Sequence, residues 1–383
     1  GINAEYGMTE EHEITLDNHK IWKRNALVLY DLLVTHVLQF PTLSIDFQTL
    51  AKTNPLKSQA LVNFVVGTNT PCQQPREQNF FYVKQLVLPS QLTPQPQDSI
   101  SRSENGLIVG GYGIVKDECF GKIQDLFYQK TPVEANQIVS VASDPDYVLV
   151  LTDDDLLLWD LRGLMLRQQN DVAPFSFNDL DGGFALATFQ NICVHGGNSQ
   201  INFYDLQEKK KLFTLQIDAV VNGVAFSPFY PVAAAVTDEG ELLLVDYQKQ
   251  KIVKRGLLGD LADQFVGTSV AFSFQQETLL FAGGSDGRLL RLQMDAWQSS
   301  VVQAHERAIY QLKASPFYPL LVTGSEDCRC ILWDQKLQKL FVHQGHTMPI
   351  TDVKFHPQVA NLVASAAEDN SLQFWWPAET AFK

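Results

Sequence analysis

The pentapeptide Ser-Pro-Phe-Tyr-Pro occurs twice, at 227–231 and at 315–319, so its two copies begin 88 residues apart. That offset is two periods of 44, a spacing typical of repeated four-stranded β units. Around the first copy an apolar stretch at 224–226 leads through Pro228 to small and β-branched residues at 232–236. The chain then turns at Asp238-Glu239-Gly240 into the apolar stretch 242–246. Alternation, β-branched side chains and turn formers are the chemistry of short strands.

The same unit recurs at 138–160, 173–205, 220–246, 269–292, 305–334 and 346–376. With the strand-like segments 42–47, 61–67 and 80–88 as a first unit, the count is seven. Short sheets repeated in this way close into a ring, because closure removes long exposed edges. No Gly/Ser linker or break in composition divides the 383 residues, and hydrophobic residues make up 45% of them, enough to fill a series of small cores.

Two units carry a fuller polar signature. One reads His305, then Thr323-Gly324-Ser325-Glu326-Asp327, then Leu332-Trp333-Asp334; the other reads Gly345-His346, Asp369 and Phe374-Trp375. In WD repeats such His, Ser/Thr, Asp and Trp residues join neighbouring strands through buried hydrogen bonds. An unpaired buried polar group costs about 1–3 kcal/mol, so these networks are expected to persist whole or disappear together. Unit 269–292 keeps Asp286 but has Leu292 at the Trp position. The predicted fold is an all-β, seven-bladed WD40 β-propeller with an N-terminal α-helix packed on its edge. The expected boundaries are 1–41 for the helical segment, 42–377 for the propeller and 378–383 for a C-terminal tail.

Trp22, Ala26, Leu29, Leu33 and Val37 fall at helical spacing, Thr15 and Asp17 are N-cap candidates, and Pro41 stops the pattern. One apolar helix face through Val37 is therefore expected against a blade.

The segment His19-Lys20-Ile21-Trp22-Lys23-Arg24-Asn25, continuing through Leu29-Tyr30-Asp31-Leu32 and Thr35-His36 to Phe40-Pro41-Thr42-Leu43-Ser44, resembles one family. It is similar to the retinoblastoma-associated, chromatin-assembly-factor-type histone-binding WD-repeat proteins. Val66-Gly67-Thr68-Asn69-Thr70, Gly121-Lys122-Ile123 and Val342-His343-Gln344-Gly345-His346-Thr347 extend the resemblance, as does Glu368-Asp369-Asn370. It implies a partner-binding N-terminal helix, with Trp22, Lys23, Asn25, Tyr30 and Asp31 as its residues, working against an acidic insertion near the sixth blade. Here Gln335-Lys336-Leu337-Gln338-Lys339 stands in that place, short and basic. The resemblance also implies basic-peptide binding around the central channel, at Glu134, Asp171, Asn222 and Tyr310. Asn222, Ala308 and Pro349 replace more polar or charged groups, which weakens that site.

The formal charge of −14 argues against direct nucleic-acid binding, since the longest basic run is Lys209–Lys211. No run approaches the roughly 18 apolar residues of a membrane span. No secretory leader is evident at the N-terminus. Five cysteines without C-x-x-C spacing fit a reducing compartment. No nucleophile, phosphate-loop or metal-site motif occurs, so neither enzymatic activity nor a cofactor or metal is expected. Gly110-Gly111-Tyr112-Gly113 reads as a loop, and Cys328 with Cys330, two apart on a strand or its turn where they could point to one side, as buried or inert thiols. His195 reads as a packed residue.

The sequence thus points to a nuclear, non-catalytic scaffold subunit of a chromatin-modifying complex. By resemblance to divergent fungal transcriptional modulators, a class I histone deacetylase corepressor comes first. Its partners are then the deacetylase, a corepressor scaffold and histones bound weakly. A histone chaperone or histone acetyltransferase subunit is the next reading, and a ribosome-assembly chaperone the one after.

Overall fold

The computed structural model describes residues 10–48, 52–54, 59–69, 79–89, 101–102, 108–109, 121–162, 173–178 and 180–381. Seven antiparallel sheets follow one another along the chain, and the first strands of successive sheets touch around a central axis. This is the predicted seven-bladed propeller. Blade 4 is typical: Val221–Phe226 lies innermost, followed outward by Val232–Thr237, Glu241–Asp246 and Lys251–Leu257.

Small residues near the end of the second strand have a packing cause in three blades. Gly196, Gly283 and Gly324 occupy the same place in blades 3, 5 and 6. A Cβ there would come within 2.3 Å of Val221, 2.7 Å of Ile309 and 2.7 Å of Ile350, each on the inner strand of the next blade. Blade stacking therefore selects residues without bulk at this point.

The ring closes by pairing the two ends of the chain. The helix α1 spans Glu10–Leu29, and strand β1 spans Tyr30–Val37. β1 runs antiparallel to Ser371–Pro377 as the fourth strand of blade 7, with Leu33 opposite Trp375 and Val37 opposite Ser371. The helix expected through Val37 is thus corrected: Leu33 and Val37 belong to a strand, and Thr15 and Asp17 lie inside α1 rather than capping it. The free edge of Ser371–Pro377 offers a ladder of backbone partners, and strand formation there overrides the helical spacing. Beyond β1, Ile108–Val109 pairs at Leu33, and Ser101–Arg102 pairs with Ile108–Val109.

The sequence units are also offset from the blades. Phe175–Phe177, read as the start of unit 173–205, pairs with 156–158 as the outer strand of blade 2. Blade 1 takes its fourth strand from Ile123–Lys130, outside the segments first assigned to it.

The polar networks form in blades 6 and 7. In blade 6, the Thr323 hydroxyl accepts from Trp333 Nε1 at 3.0 Å and lies 2.7 Å from His305 Nε2, while His305 Nδ1 sits 3.0 Å from both Asp327 oxygens. In blade 7, Ser365 accepts from Trp375 at 3.1 Å and lies 2.7 Å from His346 Nε2. The link from His346 to Asp369 there runs through the Ser371 hydroxyl, which donates to Asp369 at 2.5 Å. The rule that networks survive whole or vanish together fails in blade 2. Trp159 occupies the Trp position, but Val150 stands where the hydroxyl belongs, and the buried indole N–H has no hydrogen-bond partner among the described residues. In blade 3, His195 takes the hydroxyl position and Tyr204 the Trp position; His195 is fully buried, as expected of a packed residue.

Candidate protein-binding site

α1 lies across the seam between blades 6 and 7. Trp22 and Ala26 point inward and are buried. Trp22 Nε1 donates to the Tyr30 hydroxyl at 2.6 Å, and that hydroxyl lies 2.7 Å from Nδ1 of His343 on the outer strand of blade 6. The His343 ring stacks on Trp375 with centroids 4.4 Å apart and planes 4° from parallel. His19 stacks on Trp22, fixing the helix one turn earlier.

A flank of α1 exposes Ile14, Ile21 and Val28 by 55%, 56% and 58%. They stand seven residues apart and therefore form one nearly straight apolar stripe. Arg24 and Asn25 are exposed beside it, while Lys20 and Lys23 are exposed further round the helix, with Lys20 paired to Asp17 at 2.8 Å. Of the five helix residues expected to bind a partner, Lys23 and Asn25 are exposed. Trp22, Tyr30 and Asp31 are buried, and the last two lie on β1. The stripe itself was missed, although its spacing of seven was visible in the sequence.

Burial pushes the Asp31 carboxyl up to about 6, and the neighbouring Glu379 charge adds to this. Glu379 lies in a 3-10 turn at Glu379–Ala381.

The turn at 334–338 of blade 6 is short. The Asp334 carboxylate accepts from the backbone N–H of Lys336 and Gln338 at 2.9 and 2.8 Å, and Leu337 takes a positive φ of 67°. Lys336 and Lys339 are exposed there.

Around the axis, the inner strands of blades 4 to 7 each carry a register shift spanning one residue: Asn222, Thr268, Tyr310 and Thr351. Three of these tie one blade to the next. Asn222 Nδ2 donates to Gly267 O at 3.0 Å, the Thr268 hydroxyl to Ile309 O, and the Thr351 hydroxyl to Thr42 O at 2.7 Å. Tyr310 is instead 42% exposed, and burial together with Glu326 and Glu368 holds its phenol above the usual range. Glu134 is half-buried beside Asp153, and its carboxyl is raised by burial first and by that charge second. Asp171 lies outside the described residues. Glu326 and Glu368, beside Tyr310, were not singled out from the sequence.

Between the first half of α1 and the loops of blades 6 and 7 lies a cleft of about 740 Å³, bordered by Ile14, Asn18, Arg307, Arg329 and Met348. Its arginines are committed to acids: Arg329 to Asp327 and Glu306 at 2.8 Å each, and Arg307 to Glu326 at 3.4 Å. Among the described residues no group of three or more His, Cys, Asp or Glu is placed to hold a metal, and no helix is long and apolar enough to cross a membrane. Cys330 is buried on its strand, whereas Cys328 precedes it in the turn at a positive φ of 68°. Of the two placements the spacing allowed, Cys328 takes the turn, so the two thiols do not share a strand face.

Residues 17–90, which include most of α1, all of β1 and the first strands of blade 1, match the family of the histone-binding protein RBBP4 and its counterpart in the CAF1 complex. Residues 297–334 and 337–375 match the WD domain, G-beta repeat. The chain is 22% identical over 394 residues to the histone acetyltransferase type B subunit 2 of Candida glabrata, an alignment that covers 94% of this chain and 88% of the relative. The chain is thus similar to the RBBP4-type, CAF1-type histone-binding family over its helix, closing strand and first blade, and to WD repeats over blades 6 and 7 of a seven-bladed propeller.

Proposed function

We propose that the protein is a non-catalytic, histone-binding WD-repeat scaffold of a nuclear chromatin-modifying complex, with a class I histone deacetylase corepressor as its complex. The observation that carries the histone part is the Ile14–Ile21–Val28 stripe: three exposed apolar side chains on a helix anchored to β1 through the hydrogen bond from Trp22 to Tyr30. A rigid apolar ridge of this kind accepts the apolar face of a partner helix. Binding at this ridge is weak, because the turn at 334–338 contributes Lys336 in place of acids, and Arg24 borders the stripe. Like charges facing a basic histone helix lower affinity and slow encounter. On the axial face, Tyr310 with Glu326 and Glu368, and Glu134 with Asp153, provide a second acidic and aromatic surface for a basic peptide.

The test is titration of a labelled core-histone first helix at low and at physiological ionic strength, with Ile21→Asp as the control. Weak binding abolished by Ile21→Asp supports the reading. Tight binding that weakens steeply with salt, or binding indifferent to Ile21, overturns it. A histone acetyltransferase subunit is the second reading, favoured by the name of the Candida glabrata relative. Affinity purification from nuclei separates the two by whether a deacetylase or an acetyltransferase accompanies the chain.

A further inference from the structure

We propose that docking of α1 on the propeller is proton-linked, with His343 as the group whose protonation releases the helix. The argument rests on the direction of two hydrogen bonds. An indole N–H only donates, so Trp22 Nε1 gives its hydrogen to the Tyr30 oxygen. The Tyr30 hydroxyl has one hydrogen of its own, and the acceptor within reach is Nδ1 of His343 at 2.7 Å. His343 must therefore present an unprotonated Nδ1 and carry its hydrogen on Nε2. That second nitrogen is buried beside the Gln373 side chain without a well-aligned hydrogen bond.

An imidazolium at His343 would place an N–H against the Tyr30 oxygen. That oxygen already accepts from Trp22, and its own hydrogen would be left with no acceptor. Tyr30 and His343 are fully buried and Trp22 nearly so, so water does not reach the relay. The relay joins three separate elements, α1, β1 and the outer strand of blade 6, so disrupting it loosens the helix rather than one blade.

The charged and titratable groups around His343 act in the same sense, with one exception. Burial is the largest influence holding the imidazole well below its ordinary value. His346 of blade 7 and His19 of α1 add to it, and Asp369 of blade 7 opposes it. Gln373 also favours the charged form, while Tyr30 from β1, Trp375 from blade 7 and Cys330 from blade 6 bring no charge. Undocking α1 takes Trp22 and His19 away from the ring and opens that side to water, which moves its pKa toward the ordinary value near 6.5. The undocked state therefore binds the proton more tightly. Docking is fully stable above that pH and weakens as pH falls below it, until the pKa of the docked ring is passed.

The experiment is hydrogen exchange of the full chain, corrected for intrinsic rates, read at Glu10–Leu29 and at the strands of blades 3 to 5 across neutral to mildly acidic pH. Protection of the helix is expected to fall by up to about tenfold per pH unit below about 6.5, while the blades stay protected. His343→Gln removes most of this dependence, whereas His19→Gln removes only a smaller part of it, since burial also holds the His19 ring below its ordinary value. Helix protection independent of pH, loss in step with the blades, or an unchanged slope in His343→Gln overturns the proposal. Should His343→Gln not fold, nitrogen-15 spectra of the eight histidines in the unmodified chain decide it. The Nε2–H tautomer at His343, titrating below the ordinary range, supports the linkage. An Nδ1–H tautomer or an ordinary titration refutes it.

Discussion

Asp352 on the inner strand of blade 7 holds Ser44 at the entry to blade 1, its Oδ2 accepting from the Ser44 hydroxyl at 3.0 Å across 308 residues of chain. The same oxygen accepts from the backbone N–H of Ile45 at 3.0 Å, and Lys354 Nζ lies 3.9 Å away. Asp46, which accepts from Ser140 N at 2.8 Å, then ties blade 1 to blade 2. The ring is therefore closed twice, on its rim by β1 and at its axis by Asp352. Replacing Asp352 with Ala leaves the Ile45 N–H without this acceptor and Lys354 with Asp46 as its remaining acidic neighbour. The expected loss is about 3–5 kcal/mol, measured by denaturant unfolding. Asp352→Asn, which still offers an oxygen to Ile45, should lose less. Equal stability of both variants and the parent would show that β1 closes the ring alone.

The two indoles of blades 2 and 7 should respond differently to the same change. Trp375→Phe removes the donor to Ser365 and leaves that buried hydroxyl with His346 alone of the two, whereas Trp159→Phe removes an N–H that has no partner among the described residues. Losing one partner of a buried pair costs about 1–3 kcal/mol beyond the volume lost. Trp375→Phe is expected to be the more damaging by at least about 1 kcal/mol in thermal or denaturant unfolding. A larger loss for Trp159→Phe would mean that packing against Phe81 governs that site.

Asp31 gives a pH dependence of defined sign. Its folded pKa, about 6, lies above the ordinary 3.8, so the stability tied to its neutral form is full below about 4 and is lost as pH rises through about 6. Asp31→Asn keeps an oxygen for the Glu379 N–H and removes the buried charge. It should therefore stabilise the protein at pH 7 by about 1–3 kcal/mol and leave it nearly unchanged at pH 4. Destabilisation at pH 7 would show that Asp31 is ionised and paired in the folded protein.

The joint change of Lys336→Glu and Lys339→Glu should strengthen capture of a histone helix, most visibly at low salt, where exposed charges act over the longest range. Both side chains are solvent-exposed, so folding should be unaffected. A roughly tenfold gain in affinity at low ionic strength is expected, shrinking as salt rises. No gain would mean that this turn does not meet the ligand of α1.

What the sequence determined by itself is the repeated unit and the number of blades. Strand periodicity and turn chemistry are local properties, and a duplicated Ser-Pro-Phe-Tyr-Pro turn records the period directly. The inward placement of Trp22 and Ala26 was legible for the same reason, since helical spacing writes one face into the order of residues. What only the tertiary structure decided is where the helix ends. Tyr30–Val37 satisfies a helical pattern, but its backbone groups are claimed by Ser371–Pro377 from the other end of the chain, and no local signal carries a partner more than 300 residues away. The same holds for Tyr30 and Asp31. Their neighbours His343 and Glu379 come from blade 6 and the C-terminal turn, so a segment read as an outer binding face became a buried anchor once the ring closed around it.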